Sequence, residues 1–178
     1  LLPEKLKATA SEMAQNIAGS ITLGAGQFCT NPGLIIGIDG PDLDSFVAAL
    51  GLSISQIAPA KMLHEGIAKT YQQKKSEALG QPGTSLLASG PEDSEMLKGT
   101  PAVATVVGKT FLSNPLLHQE VFGPYSLVIR CKDSNEMLEV ALNLEGQLTA
   151  TLMATETDMR DNRTLIAAVQ DICGRLIM

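Results

Sequence analysis

The stretch Leu34-Ile35-Ile36-Gly37-Ile38, closed by Asp39-Gly40-Pro41 and followed by a helical pattern over residues 42–50, sets the reading of the whole chain. A short apolar run bounded by turn residues fits a strand buried on both faces. A helix follows it directly. That is the repeating unit of an α/β sheet, and it recurs on either side of this stretch.

Upstream, Leu6, Ala10, Met13, Ala14, Ile17 and Ile21 fall on one helical face, and Gly24-Ala25-Gly26 ends that helix. Downstream, a helix is expected over residues 62–79, closed by Gly80-Gln81-Pro82-Gly83. Strands are expected at residues 85–88, 102–107 and 126–130. Asp133-Ser134-Asn135 supplies a cap for a helix running to about Leu144, residues 148–153 read as a strand, and a last helix (164–172) precedes a strand at 175–177. The pattern predicts the α/β class, with an open sheet carrying helices on both faces, in one domain spanning residues 1–178.

The 178 residues suffice for one buried core, and with 44% hydrophobic, 3% aromatic and no Trp that core must be built from Ala, Leu, Ile, Val and Met. The net charge of −6 leaves no basic surface for a polyphosphate backbone, so nucleic acid is not an expected partner. No apolar run approaches the roughly 20 residues a bilayer span needs, so no membrane association is expected. Cys29, Cys131 and Cys173 are odd in number and widely spaced, which argues against a disulfide framework or a zinc cage and for a cytoplasmic location. Asn162-Arg163-Thr164 fits a glycosylation pattern, read here as chance. Leu1 at the start and the strand at the end suggest a piece of a longer chain.

Chemistry concentrates in Gly24-Ala25-Gly26-Gln27-Phe28-Cys29-Thr30-Asn31-Pro32-Gly33, a thiol in a glycine-rich loop between a helix and a strand. The Gly-x-Gly follows a helix and has Cys29 in the place of a third glycine, so a dinucleotide cradle fails its context test. A lone cysteine is most often a small buried hydrophobe. The glycine-rich loop moves that balance only modestly toward an exposed nucleophile, and Asn31-Pro32 is expected to start a short helical turn behind it.

Gly26-Gln27-Phe28-Cys29 with Pro32-Gly33, followed downstream by Glu120-Val121-Phe122-Gly123-Pro124, resembles the catalytic-cysteine and Glu-x-Phe-Gly-Pro elements of the aldehyde dehydrogenase superfamily. Thr30-Asn31-Pro32-Gly33-Leu34 and Leu144-Glu145-Gly146-Gln147-Leu148-Thr149-Ala150-Thr151 are similar to its α-ketoglutaric semialdehyde dehydrogenase branch, which shares traits with NADP-dependent fatty aldehyde dehydrogenases. The resemblance covers the whole chain and implies the fold of that family's catalytic domain. It implies that Cys29 attacks a small aldehyde or semialdehyde to form a thiohemiacetal and then a thioester, with NADP or NAD as cofactor. Glu120 would bind the nicotinamide ribose, Phe122 would pack by the nicotinamide, and Gln27, Phe28 and Thr30 would line the substrate tunnel.

The same resemblance implies a cofactor-binding domain upstream and a further C-terminal segment, both outside these residues, and a complete protein that is a homo-oligomer. The general base and the oxyanion asparagine would also lie outside, since Glu4 and Glu12 read as solvated helix charges. The isolated chain is therefore expected not to turn over. His64 and His118 show no metal-ligand spacing, and no metal is expected. Two other readings compete: a cysteine hydrolase or acyltransferase with Cys29 paired to His64 or His118, and a non-catalytic assembly module with an inert loop.

Overall fold

In the computed structural model, which describes residues 1–178, the central sheet has the order β1 (Leu34–Ile38), β6 (Tyr125–Cys131), β5 (Ala102–Val107), β3 (Ser85–Ser89). β6 runs parallel to both β1 and β5, while β3 closes the far edge antiparallel, with a register shift between Leu86 and Ala88. Tyr125, Leu127, Ile129 and Cys131 of β6 enter one core and Val128 the other. A strand buried on both faces must be apolar on both through its middle, which is why Leu127-Val128-Ile129 shows no polar alternation, Ser126 and Arg130 standing on either side.

α1 (Pro3–Thr22) and α2 (Pro41–Ser55) cover one face, packing Leu6, Met13, Ile17, Ile21, Leu43, Phe46 and Leu50 on Ile35, Val103 and Val128. Each begins with proline, whose fixed φ suits the first helical turn. α3 (Glu65–Leu79), α4 (Gly108–Ser113), α5 (Ser134–Asn143) and α7 (Arg163–Ile172) bring Tyr71, Phe111, Met137, Val140 and Leu165 to the core on the opposite face. The expected α/β sheet with helices on both faces is the one observed. No helix is long and apolar enough to cross a membrane.

Departures from the sequence reading are local. The helix expected from residue 62 starts at Glu65, because the His64 imidazole caps it by accepting from the Ile67 N–H at 3.3 Å. His64 thus ends a loop and does not sit within a helix. The two residues before Met62 form β2 (Ala60–Lys61), paired antiparallel with β4 (Lys98–Gly99). β7 (Gln147–Thr151) stays out of the main sheet and pairs in parallel with β8 (Cys173–Ile177). α4 and α6 (Glu156–Asp161) have six residues each, too few for a helical period to stand out in sequence.

Asp158 ties the start of the chain to its end. Its carboxylate accepts from the N–H groups of Glu4 and Lys5 at 3.1 and 3.0 Å, in the first turn of α1, and from Thr155 in a capping box. Burial alone would raise the Asp158 carboxyl pKa. The bonds from Thr155, Glu4 and Lys5 outweigh that and hold it below the usual value. A depressed carboxylate stabilises the fold above its unfolded pKa of about 3.9, and that contribution is lost as pH falls through the lower folded value. Asp158→Ala should therefore lower stability by about 2 kcal/mol at neutral pH. Thermal melts that converge for parent and variant in strong acid, and only there, are the expected result.

Candidate active site

Cys29 is carried on a loop that the backbone forces out of the helix before it. After Thr22, Gly24, Ala25 and Gly26 all take left-handed conformations, with φ of 55, 57 and 66°. The Asn31 N–H then closes a tight turn on the Phe28 carbonyl at 3.1 Å, and the Gly33 N–H bonds to Asn31 O at 2.8 Å. Cys29 sits inside that turn, exposed. The turn ends at Asn31, so the helical turn expected to start at Asn31-Pro32 is absent; the Asn31 carbonyl accepts from a donor only two residues on, which leaves no room for helical bonding there.

The facing wall is the segment leading into β6. A 3-10 turn at Pro115–His118 is followed by Gln119, Glu120, Val121, Phe122, Gly123 and Pro124. Loop and wall meet backbone to backbone: a Cβ on Gly26 would overlap the carbonyl of Gly123. Asn31 Nδ2 donates to Gly123 O at 2.9 Å and Ser126 Oγ donates to Pro32 O at 2.5 Å. From below, Tyr71 packs its ring on Gly123, and its hydroxyl lies 2.7 Å from Thr100 O and 3.2 Å from Pro124 O.

Between loop and wall lies a cleft of about 450 Å³ lined by Cys29, Glu120 and Phe122, with His118, Tyr125 and Leu148 among their neighbours. Three residues singled out from two distant stretches of sequence thus share one space. Gln27, Phe28 and Thr30 do not line it. Gln27 is used structurally, its side chain donating to Gly24 O at 2.9 Å and accepting from the Leu63 N–H at 2.9 Å. Phe28, 48% exposed, lays its ring over Gly24, and Thr30 faces a second, more apolar cavity of about 300 Å³ beside β1 and β7.

The electrostatics separate the three thiols. Burial pushes the Cys131 thiol up to about 12, with Glu136 and Asp133 adding to it, so Cys131 is a core residue. Cys173 is half-buried. The Cys29 N–H donates to no protein acceptor, leaving a free donor beside its sulfur. Tyr125, 4% exposed, has a hydroxyl with no partner, and burial raises its pKa to about 12, so it remains a protonated donor at neutral pH.

His118 also lines the cleft, but its ring stacks on Phe111 with centroids 4.1 Å apart, and its Nε2 donates to Phe111 O at 2.9 Å. A ring fixed in this way serves packing, and His64 is spent on its helix cap. Neither forms a Cys–His pair with Cys29. Sequence reasoning missed Asn31, Tyr71 and Tyr125 as parts of this site. Only their proximity in the fold reveals them, since none belongs to a recognisable spacing.

A model of the aldehyde dehydrogenase family matches residues 7–164. The chain is 38% identical over 178 residues to alpha-ketoglutaric semialdehyde dehydrogenase 2 of Azospirillum brasilense, covering 100% of this chain and 34% of that protein. It is also 38% identical to the alpha-ketoglutaric semialdehyde dehydrogenase of Acinetobacter baylyi, with 99% and 34% covered. The chain thus spans about a third of the length of the curated relatives it matches. Its fold is similar to that of an NAD-dependent benzaldehyde dehydrogenase from Corynebacterium glutamicum, with a TM-score of 0.73 at 19% identity over 94% of this chain and 36% of that one. A glyceraldehyde-3-phosphate dehydrogenase from Methanocaldococcus jannaschii, solved with NADP, gives 0.75 at 19% identity and the same coverage.

Proposed function

The chain belongs to the aldehyde dehydrogenase family, and from that premise we propose that it is the cysteine-bearing part of an enzyme that oxidises a small aldehyde or semialdehyde to a carboxylic acid with NAD or NADP. One observation carries the reading: an exposed cysteine shares its cleft with a carboxylate and an aromatic ring from the Glu-Val-Phe-Gly-Pro turn. The thiolate of Cys29 adds to the aldehyde carbon, a C–S bond forms, and the carbonyl electron pair moves to oxygen. The unpartnered Cys29 N–H is placed to donate to that oxyanion, an interaction worth about 3 to 4 kcal/mol in comparable acyl chemistry. Loss of hydride leaves a thioester on Cys29, and water cleaves it to the acid and the free thiol.

The residues present fit a nicotinamide riboside. Glu120 offers two oxygens to a ribose diol, Phe122 an apolar face to the nicotinamide ring, and the Tyr125 hydroxyl a donor without a partner. When bound, the cofactor supplies the hydride acceptor. Among the cleft-lining residues only Glu120, Glu145 and His118 could carry a proton to water, and Glu120 is assigned to ribose. We infer that the base and most of the cofactor site come from outside these residues, consistent with relatives about three times as long, and that the 178 residues alone do not turn over. The three free cysteines accord with a reducing, cytoplasmic setting.

Labelling with iodoacetamide, resolved by peptide mass spectrometry, tests the central step. Cys29 should react first, Cys173 more slowly and Cys131 only on unfolding. Slow labelling of Cys29 at the pace of Cys131 would favour the inert assembly module.

A further inference from the structure

We propose that Asn31 is a positioning residue that sets the distance between the nucleophile loop and the turn bearing Glu120 and Phe122; this rests on the reading of Cys29 as the nucleophile. Asn31 joins the two walls through both its backbone and its side chain, beside a second link from Ser126 Oγ to Pro32 O. Its N–H closes the turn around Cys29 on Phe28 O at 3.1 Å, and its carbonyl takes the Gly33 N–H at 2.8 Å. Its side chain then crosses the cleft floor to donate to Gly123 O at 2.9 Å. One residue therefore takes part both in the shape of the loop and in its reach to the opposite wall.

The wall end of this link is itself held. Gly123 O belongs to a peptide unit whose next carbonyl, Pro124 O, faces the Tyr71 hydroxyl at 3.2 Å, and the Tyr71 ring fills the space behind Gly123. Pulled by Asn31 and backed by Tyr71, the Gly123-Pro124 peptide cannot drift, and Phe122 immediately before it inherits that fixity. The Asn31 Oδ1 is buried without a partner. A buried unpaired acceptor costs on the order of 1–3 kcal/mol. Against that cost stands the amide N–H that spans the gap, which alanine or aspartate cannot replace.

Positioning of this kind matters because a reacting carbon bound between two walls loses rate steeply when their spacing wanders by an ångström. The test measures that spacing. Nitroxides are attached at Cys29 and at Phe122→Cys in a chain carrying Cys173→Ser, with Cys131 buried and unlabelled. The parent should give one narrow dipolar distance. Asn31→Asp, equal in size but lacking the donor, should broaden it by about twofold or more, with some fall in melting temperature. In unlabelled Asn31→Asp, amide exchange should quicken over residues 27–33 and stay unchanged in β6, a local effect that loss of overall stability would not produce. An unaltered distance distribution and exchange pattern would overturn the positioning role alone. A parent Cys29 that resists the label would remove the nucleophile reading, and this inference with it.

Discussion

Mixed with p-nitrophenyl acetate, the 178-residue chain should release about one equivalent of nitrophenolate in a burst and gain a single acetyl group on Cys29. The ester carbon stands in for the aldehyde carbon. Attack by the thiolate displaces nitrophenolate and leaves a thioester, so the experiment isolates bond formation to sulfur from the redox step and needs no cofactor. Cys29→Ala should abolish the burst, lowering the initial rate at least about a hundredfold, because the remaining thiols are a core residue held near 12 and a half-buried one. Deacylation should be slow, since the base that activates water is inferred to come from outside these residues.

The same measurement separates the competing enzyme class. In a cysteine hydrolase a histidine would activate the sulfur and then activate water, so the chain would turn over and one histidine variant would lose the burst. His118→Ala breaks a stack on Phe111 and His64→Ala removes a cap on α3. Both should cost stability and leave the burst per folded chain intact. Loss of the burst in His118→Ala at full folding would favour the hydrolase.

Much of this molecule could be read from its residues. β1, β5 and the middle of β6 are mostly apolar because both faces of the sheet are covered, and a run such as residues 102–107, with Thr105 its one polar member, carries that signature without any knowledge of its neighbours. Asp133 was legible as a helix cap for the same local reason, and its side chain accepts from the Glu136 N–H at 2.9 Å. What sequence withheld is non-local. β7 reads as a strand, yet nothing in Gln147-Leu148-Thr149-Ala150-Thr151 tells that its partner is β8 instead of the central sheet. Cys29 and Glu120 were nameable one at a time by resemblance. Their meeting depends on Asn31, Gly123 and Tyr71, whose types are ordinary and whose roles exist only once β1 and β6 lie side by side. That Gln27 and Phe28 lie outside this cleft has a related reason. Adjacency to the thiol along the chain does not decide which way a side chain turns, and the left-handed run at residues 24–26 turns both away from the cleft.

Gly26→Ala should be strongly damaging for the addition of a single methyl group. Two costs coincide at that position. At φ +66 a Cβ is strained by roughly 1–2 kcal/mol whatever its surroundings, and here it would also strike the Gly123 carbonyl and the Pro124 nitrogen. Those atoms are backbone, so relief requires moving the turn, and the turn is backed by the Tyr71 ring and bonded to Asn31. Overpacking of this sort adds about 1–3 kcal/mol, which together predicts a loss near 3 kcal/mol and a fall in melting temperature of about 10 °C. Whatever fraction folds should do so with loop and wall forced apart, so the burst should fall further than the folded fraction does. Gly33→Ala is the matched control: it lies in the same loop, has no left-handed φ, and a Cβ there meets nothing within 4 Å. It should melt with the parent and keep its burst. Equal behaviour of the two variants would mean that the loop and the Phe-Gly-Pro turn are not in backbone contact, and the shared cleft, on which the assignment of Cys29 and Glu120 to one reaction depends, would have no physical basis.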